Sequence, residues 1–518
     1  MVLTVVTSSF ASVAFGAEGS VVSAAKINEI NQQIQQKGAH WQAKETWVSK
    51  LSPTELKRML GSNDMPKSTL DYTSSKKPTS PSKIDWRNQD GINWLGSVMN
   101  QGNCGSCVAF STVGTLETQV SISAGLPWLH PTFSPDQIFA CGGGGCDSGW
   151  TPGSAASFLK GKGIVDSACA PDTMGSTGQD VSCGDVTTGC GDVASRTYKI
   201  SSVSTPSGGI FGGGNVEAVK EALTHGPLVT TLTVYTDFLT YTGGVYKNVT
   251  GKAEGGHAVS LIGYDNEARA WIIRNSWGDS WGDHGFAMVS WDDVSGVGSN
   301  TWQFKLPSKA EYLTITSPAE SDYLSGQYQT KVGTSSTGNV NVEVRKPGDT
   351  RAITSLSCIQ SGTAACVSAL DTTALEDGRY EMIAKTGASN AFSQVRSFYV
   401  VNHAPTNLTI NYTGADVDLT QPVTGRIEFN IQTTTSSVPF HSITMLVRQN
   451  GKILAQRTTT VILPSMKLGF RTNTLPDGDY ELLFRGEMTA AGKTITVDSN
   501  VNTLTFHNPS DDSRISTR

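Results

Sequence analysis

Charge is sparse in this chain: Asp, Glu, Lys and Arg make up 16% of 518 residues, against roughly 25% in an ordinary soluble domain. No basic block interrupts the net charge of −6, so binding to nucleic acid has no electrostatic basis. No uninterrupted apolar run reaches the roughly 18 residues that a membrane-spanning helix needs. Histidine numbers only eight, and the chain has neither a second C-x-x-C nor an H-x-x-x-H pair. A zinc site is therefore not expected, nor is any other metal or organic cofactor. Tryptophan is absent beyond Trp302, which marks a change of character along the chain.

What is plentiful is glycine, 54 residues, together with Ser and Thr. That composition suits an extracellular, strand-rich protein, and the length implies roughly three or four domains. The opening MVLTVVTSSFASVAFGAEG is apolar and ends in small residues, Ala14 and Gly16 among them. It reads as a signal peptide over 1–17 and places the protein outside the cell or in a periplasm. Ile27, Ile30 and Ile34 then recur at helical spacing. SPTEL supplies a cap, a proline and an acidic first turn for a second helix, which Gly61 would end. Residues 62–83 are polar and rich in Pro, Ser, Thr and Lys, an exposed linker open to cleavage.

After about residue 308 alternation with period two takes over. NVNVEVRK sets Val340, Val342 and Val344 on one face, and RIEFNIQ does the same with Ile427, Phe429 and Ile431. ALEDGRYEMIAK (374–385) is echoed a hundred residues on by TLPDGDYELLFR (474–485), each with a D-G turn before a strand that starts at Tyr. This repeat predicts two all-β sandwiches of immunoglobulin-like size, 309–403 and 404–508, before a disordered tail at 509–518. No aromatic patch or acidic cluster selects between binding a surface, binding a glycan and acting as a spacer.

The nine cysteines are Cys104, Cys107, Cys141, Cys146, Cys169, Cys183, Cys190, Cys358 and Cys366. An odd number in an exported chain predicts four disulfides and one free thiol. QGNCGSCVAF puts Cys104 in a glycine-flanked loop and Cys107 at a helix start. Phe110, Val113, Leu116, Val120 and Ala124 follow as the apolar stripe, Ser106 is placed to cap, and GLP stops the pattern. Unpaired N–H groups and the dipole of a first turn favour a thiolate. HAVSLIGY and AWIIRN flank the polar turn DNEAR. A hairpin folded at Asn266 sets His257 directly across from Asn275. The amide then binds one ring nitrogen and turns the other toward a thiol, and Trp277 is placed to shield that bond. His130, His225 and His284 suit structural roles.

With these residues the sequence resembles the papain family of cysteine peptidases over 20 to about 300. Further matching stretches are KIDWR, SPDQIFAC, HGPLVTTLTVYTDFLTYTGGVY and NSWGDSWGDHGF. The resemblance implies an α+β, two-lobed papain-like domain over 81–308. It makes Cys107 the nucleophile, His257 its base and acid, Asn275 the residue that orients the imidazole, and Gln101 an oxyanion donor. It implies a cleft bordered by Ser148, Gly149 and Trp277, and an inhibitory propeptide over 18–80 of the cathepsin B type, notably in HWQA and LKRMLG. It also implies Cys104–Cys146, with Cys141 joined to Cys183 or Cys190 and Cys169 to the other; Cys358 and Cys366 can close their own loop. Two departures stand out. Val108 replaces an aromatic residue, mostly Trp, and Ser148 replaces the first glycine of a Cys-x-Gly-Gly stretch. Residues 146–200 contain no histidine, whereas cathepsin B carries a histidine pair in its occluding loop; endopeptidase action follows.

The expectation is a secreted cysteine endopeptidase, made as a zymogen, that cleaves proteins or peptides through a thioester. Its rivals are a catalytically silent homologue that serves binding or adhesion, for which Val108 is the argument, and a transferase that passes the thioester to an amine.

Overall fold

The computed structural model describes residues 20–66, 80–208, 216–308, 311–335, 338–360, 365–387, 391–403, 409–433, 439–459, 465–472, 475–490 and 493–507. The signal peptide, most of the linker and the tail read from the sequence lie outside the described residues.

The leader folds as its caps dictate. Helix α1 (Ala24–Gln36) starts at Ser23, whose side chain accepts from the Lys26 N–H, and buries Ile27, Ile30 and Ile34. Helix α2 (Pro53–Met59) opens with a reciprocal Ser52/Glu55 capping box. Gly61 does not end it: Leu60 is the C-cap. Strand β1 (His40–Ala43) lies between the helices and pairs antiparallel with a strand of the main sheet. Four residues are too few to show a period, so this element was not legible in the sequence.

Helix α3 (Cys107–Ala124) ends at Gly125, whose φ of 67° suits a residue without a Cβ. The sequence predicts an amphipathic helix, but all of residues 107–121 are buried. Its polar side chains are mostly small hydroxyls, and Ser111, Thr118 and Ser121 bond carbonyls of their own helix while Thr115 donates to Ser260 of the main sheet. They can therefore face protein on every side. Ser106 occupies the cap position without a capping bond. Helices α4 (Pro135–Gly142) and α5 (Pro152–Gly161) also belong to the helical lobe, with short helical turns over Met174–Thr177, Cys183–Val186 and Val193–Arg196.

The second lobe is built on a nine-stranded sheet. Its further strands are β2 (Lys83–Asp85), β3 (Ser202–Ser204), β4 (Leu228–Tyr235), β5 (Tyr241–Tyr246), β6 (Ala253–Asp265), β7 (Ala270–Arg274), β8 (Phe286–Ser290) and β9 (Thr301–Lys305). The order is β1-β5-β8-β7-β6-β4-β9-β3, with β2 also on β6. One apolar core joins Ile30, Trp41 and Met59 of the leader to Phe238, Trp277 and Trp281 of the sheet lobe. Four disulfides form, Cys104–Cys146, Cys141–Cys183, Cys169–Cys190 and Cys358–Cys366, which leaves Cys107 free.

Two β-sandwiches follow. In the first, strands over 311–317, 327–334, 366–371 and 391–393 form one sheet, and strands over 322–324, 338–345, 354–360, 378–385 and 395–400 the other. Val340, Val342 and Val344 are fully buried between them. The second sandwich pairs a three-stranded with a five-stranded sheet and buries Ile427, Phe429 and Ile431. The hundred-residue repeat has a physical cause. Tyr380 donates to the Glu376 carbonyl at 2.8 Å and Tyr480 to the Pro476 carbonyl at 2.7 Å, so each D-G turn is tied to the strand it opens.

Candidate active site

The site lies where α3 meets β6. Cys107 is buried at the start of α3, and the backbone N–H groups of Ala258 and Gly61 point at its sulfur. His257 therefore lies one residue from a group that touches the thiol. The His257 Nε2 and the Asn275 Oδ1 are 2.8 Å apart. Both residues are buried, and the Trp277 ring packs 4.7 Å from the imidazole at 31°. The His257 Nδ1 has no hydrogen-bond partner.

The hairpin register differs from the sequence expectation. Ser260 pairs with Arg274 and Leu261 with Ile273, and a bulge at Ile262 precedes Gly263 opposite Ile272. Asn275 therefore follows the end of β7, across from position 259 rather than 257. Without the bulge it would face position 260, on the opposite side of the strand. The extra residue returns it to the face of His257, as a diagonal neighbour that still reaches the ring.

Gln101 is buried. Its Oε1 accepts from the Ser276 hydroxyl at 2.6 Å, and its Nε2 donates to the carbonyls of Met59 and Cys104, both at 2.9 Å. A leader carbonyl thus sits on the Gln101 amide. The leader continues through the cleft as extended backbone. Trp150 N–H donates to the Gly61 carbonyl at 2.8 Å, Asn63 N–H to the Trp150 carbonyl at 2.9 Å, and Ser62 N–H to the Gly256 carbonyl at 3.2 Å. The Asn63 side chain donates to the Ser148 carbonyl at 2.9 Å, and Trp47 donates to the Trp277 carbonyl at 2.9 Å. A Cβ on Gly149 would strike the Gly61 carbonyl, and one on Gly61 the Gly105 carbonyl. These glycines are present because two backbones meet. Sequence reasoning missed Ser276, Trp150 and Gly256; of these, only the glycine pair before His257 carried a signal, that of close backbone approach.

Burial dominates the electrostatics. It pushes the Cys107 thiol up to about 11, against the N–H groups that favour the thiolate. It lowers His257 to about 4, against the Asn275 bond, which favours the charged ring. Under the leader, both groups are neutral. Val108 is fully buried in the helical-lobe core. Among the described residues, Cys104, Cys146 and Asp180 come within ligand distance of one another. Those two cysteines form a disulfide, and Asp180 accepts the Cys146 N–H at 2.7 Å.

A family model described as "Papain family cysteine protease" matches residues 80–302. "Cathepsin B-like CP3" of Giardia intestinalis is 35% identical over 231 residues, which span 43% of this chain and 72% of that protein. The chain belongs to the papain family. "Cathepsin B-like CP2" of the same organism is 35% identical over 220 residues, 41% of this chain and 70% of the relative. Among solved structures, proCathepsin B S9 from Trypanosoma congolense superposes with a TM-score of 0.45 at 22% identity, over 56% of this chain and all of that one. This papain-family chain is a cysteine peptidase, a hydrolase of peptide bonds.

Proposed function

We propose that the chain is a secreted endopeptidase stored as a zymogen, with residues 18–80 as inhibitor, 81–308 as peptidase and two immunoglobulin-like sandwiches over 309–403 and 404–508. The observation that carries this is the leader backbone from Met59 to Asn63, which covers Cys107 and occupies the Gln101 amide. Once it leaves, the Cys107 thiol passes its proton to His257 Nδ1 as the sulfur attacks the scissile carbonyl, and the developing oxyanion is held by Gln101 Nε2 and the Cys107 N–H. The imidazolium of His257 gives its proton to the leaving amine, and a thioester remains. Water then attacks the thioester as His257 takes the water's proton, the C–S bond breaks to release the acid product, and His257 returns that proton to the Cys107 sulfur. Asn275 holds the ring for both transfers. Ser148, Gly149 and Trp277 border the substrate path. Four disulfides support an oxidising compartment. The two tyrosine-to-upstream-carbonyl bonds support the immunoglobulin-like reading.

The test is intact mass after exposure to a thiol-directed epoxide, with and without residues 1–80. One adduct on Cys107, formed only by the trimmed protein, is expected. A folded, trimmed protein that takes up no adduct would overturn the reading.

A further inference from the structure

The helical lobe does not close its own core. The apolar cluster around α3 runs through Phe133, Ile164 and Tyr198 into Tyr312 and Phe392, which belong to the first sandwich. The Phe392 ring lies 5.5 Å from Tyr198, edge-on, and 6.1 Å from Phe133.

Beside this seam lies a buried charge cluster assembled from both sides. Asp166, Asp192 and Arg196 come from the helical lobe, and Arg345 and Glu381 from the sandwich. Arg196 meets Asp166 at 2.5 Å and Glu381 at 3.1 Å; Arg345 meets Asp192 at 2.6 Å and Glu381 at 3.4 Å. The side chains of Arg196 and Glu381 are each 2% exposed. Charges so far from water are stable only while paired and hydrogen-bonded, and removing one side leaves the other uncompensated. Without the sandwich, two aspartates would face one arginine beside newly exposed aromatic rings. A flexibly tethered module has no use for such a seam.

We infer that residues 311–403 are an obligatory third lobe of the peptidase, which folds and unfolds with the helical lobe as one cooperative unit. The inference rests on the seam and is independent of the catalytic reading.

Tryptophan supplies the test. All eleven lie at or before Trp302, so with Trp128, whose ring lies against Gly333 of the first sandwich, replaced by Phe, their fluorescence reports the leader and peptidase lobes and not the sandwiches. Val342 is buried in the first sandwich's own core, away from the seam. In the full chain, Val342→Ala is expected to move the tryptophan-reported urea midpoint to lower urea, together with the midpoint seen by circular dichroism. An unmoved tryptophan midpoint would overturn the inference. Should that variant not fold, native-state hydrogen exchange on the unaltered chain decides. Amides of α3 and of strand 338–345 should open with one denaturant dependence; two distinct dependences would overturn the inference equally.

Discussion

At Cys107, local and tertiary electrostatics oppose each other. The first turn of α3 offers N–H groups and a dipole that favour a thiolate. Burial in the assembled site pushes the thiol up to about 11, although the N–H groups of Ala258 and of Gly61 in the leader pull it down. His257 is pressed the other way, to about 4. Both shifts act in one direction: the covered pair is neutral. Gln101 is the second residue that the leader engages, since its amide donates to the Met59 carbonyl. In the trimmed enzyme Gln101→Ala should lower kcat by about 10²- to 10³-fold with KM nearly unchanged, the loss typical of one oxyanion donor. Steady-state hydrolysis of a fluorogenic peptide measures this, and an unaltered kcat would remove Gln101 from the oxyanion site.

At the scale of elements, the hold on the cleft is mainly backbone to backbone. The ion pair of Arg58 with Asp147 spans 2.7 Å but is 35% and 79% exposed, so it contributes at most about 1 kcal/mol. The close approach of Gly61 to Gly105 and Gly149 matters more, since any Cβ at Gly61 collides with the Gly105 carbonyl. Gly61→Val should therefore lift the segment from the cleft while α1, α2 and β1 remain docked. The uncleaved variant should be alkylated at Cys107 at a rate approaching that of the trimmed enzyme. Labelling as slow as in the unaltered chain would show that the leader is held from elsewhere. The bulge at Ile262 is a second device on this scale, since one added residue decides which face Asn275 occupies.

For the whole molecule, the neutral site links leader docking to pH. The unfolded chain's His257 titrates near its ordinary 6.5, the folded one at about 4. The unfolded state therefore binds a proton that the folded state refuses. The resulting stability is present above 6.5 and is lost as pH falls toward 4, on the order of 3 kcal/mol in all. Burial raises Glu117 to about 7, which works with the opposite sign, and this group lies in the helical lobe with or without the leader. Comparison of intact with trimmed protein therefore isolates the histidine. Between pH 7 and pH 4 the melting temperature of the intact chain should fall further than that of the trimmed one. Equal falls, measured by calorimetry, would count against a neutral, buried His257.

The sequence by itself determined whatever depends on local pattern or on counting. The isoleucine spacing of α1, the cap of α2, the odd cysteine, the helix start at Cys107, the alternating valines of the first sandwich and the two Asp-Gly-x-Tyr turns were all legible. These features depend on neighbours within a few residues. Only the tertiary structure decided the register that brings Asn275 to His257, because a bulge has no periodic signature. It alone showed α3 buried on all sides, since burial depends on what packs against a helix and small hydroxyls hide the difference. The pairing of Cys141 with Cys183, and so of Cys169 with Cys190, likewise depends on which loops meet. The neutrality of Cys107 and His257 and the charges shared between lobe and sandwich belong to the same class. Burial is a property of the assembled chain, and it sets the protonation of groups that the sequence can only name.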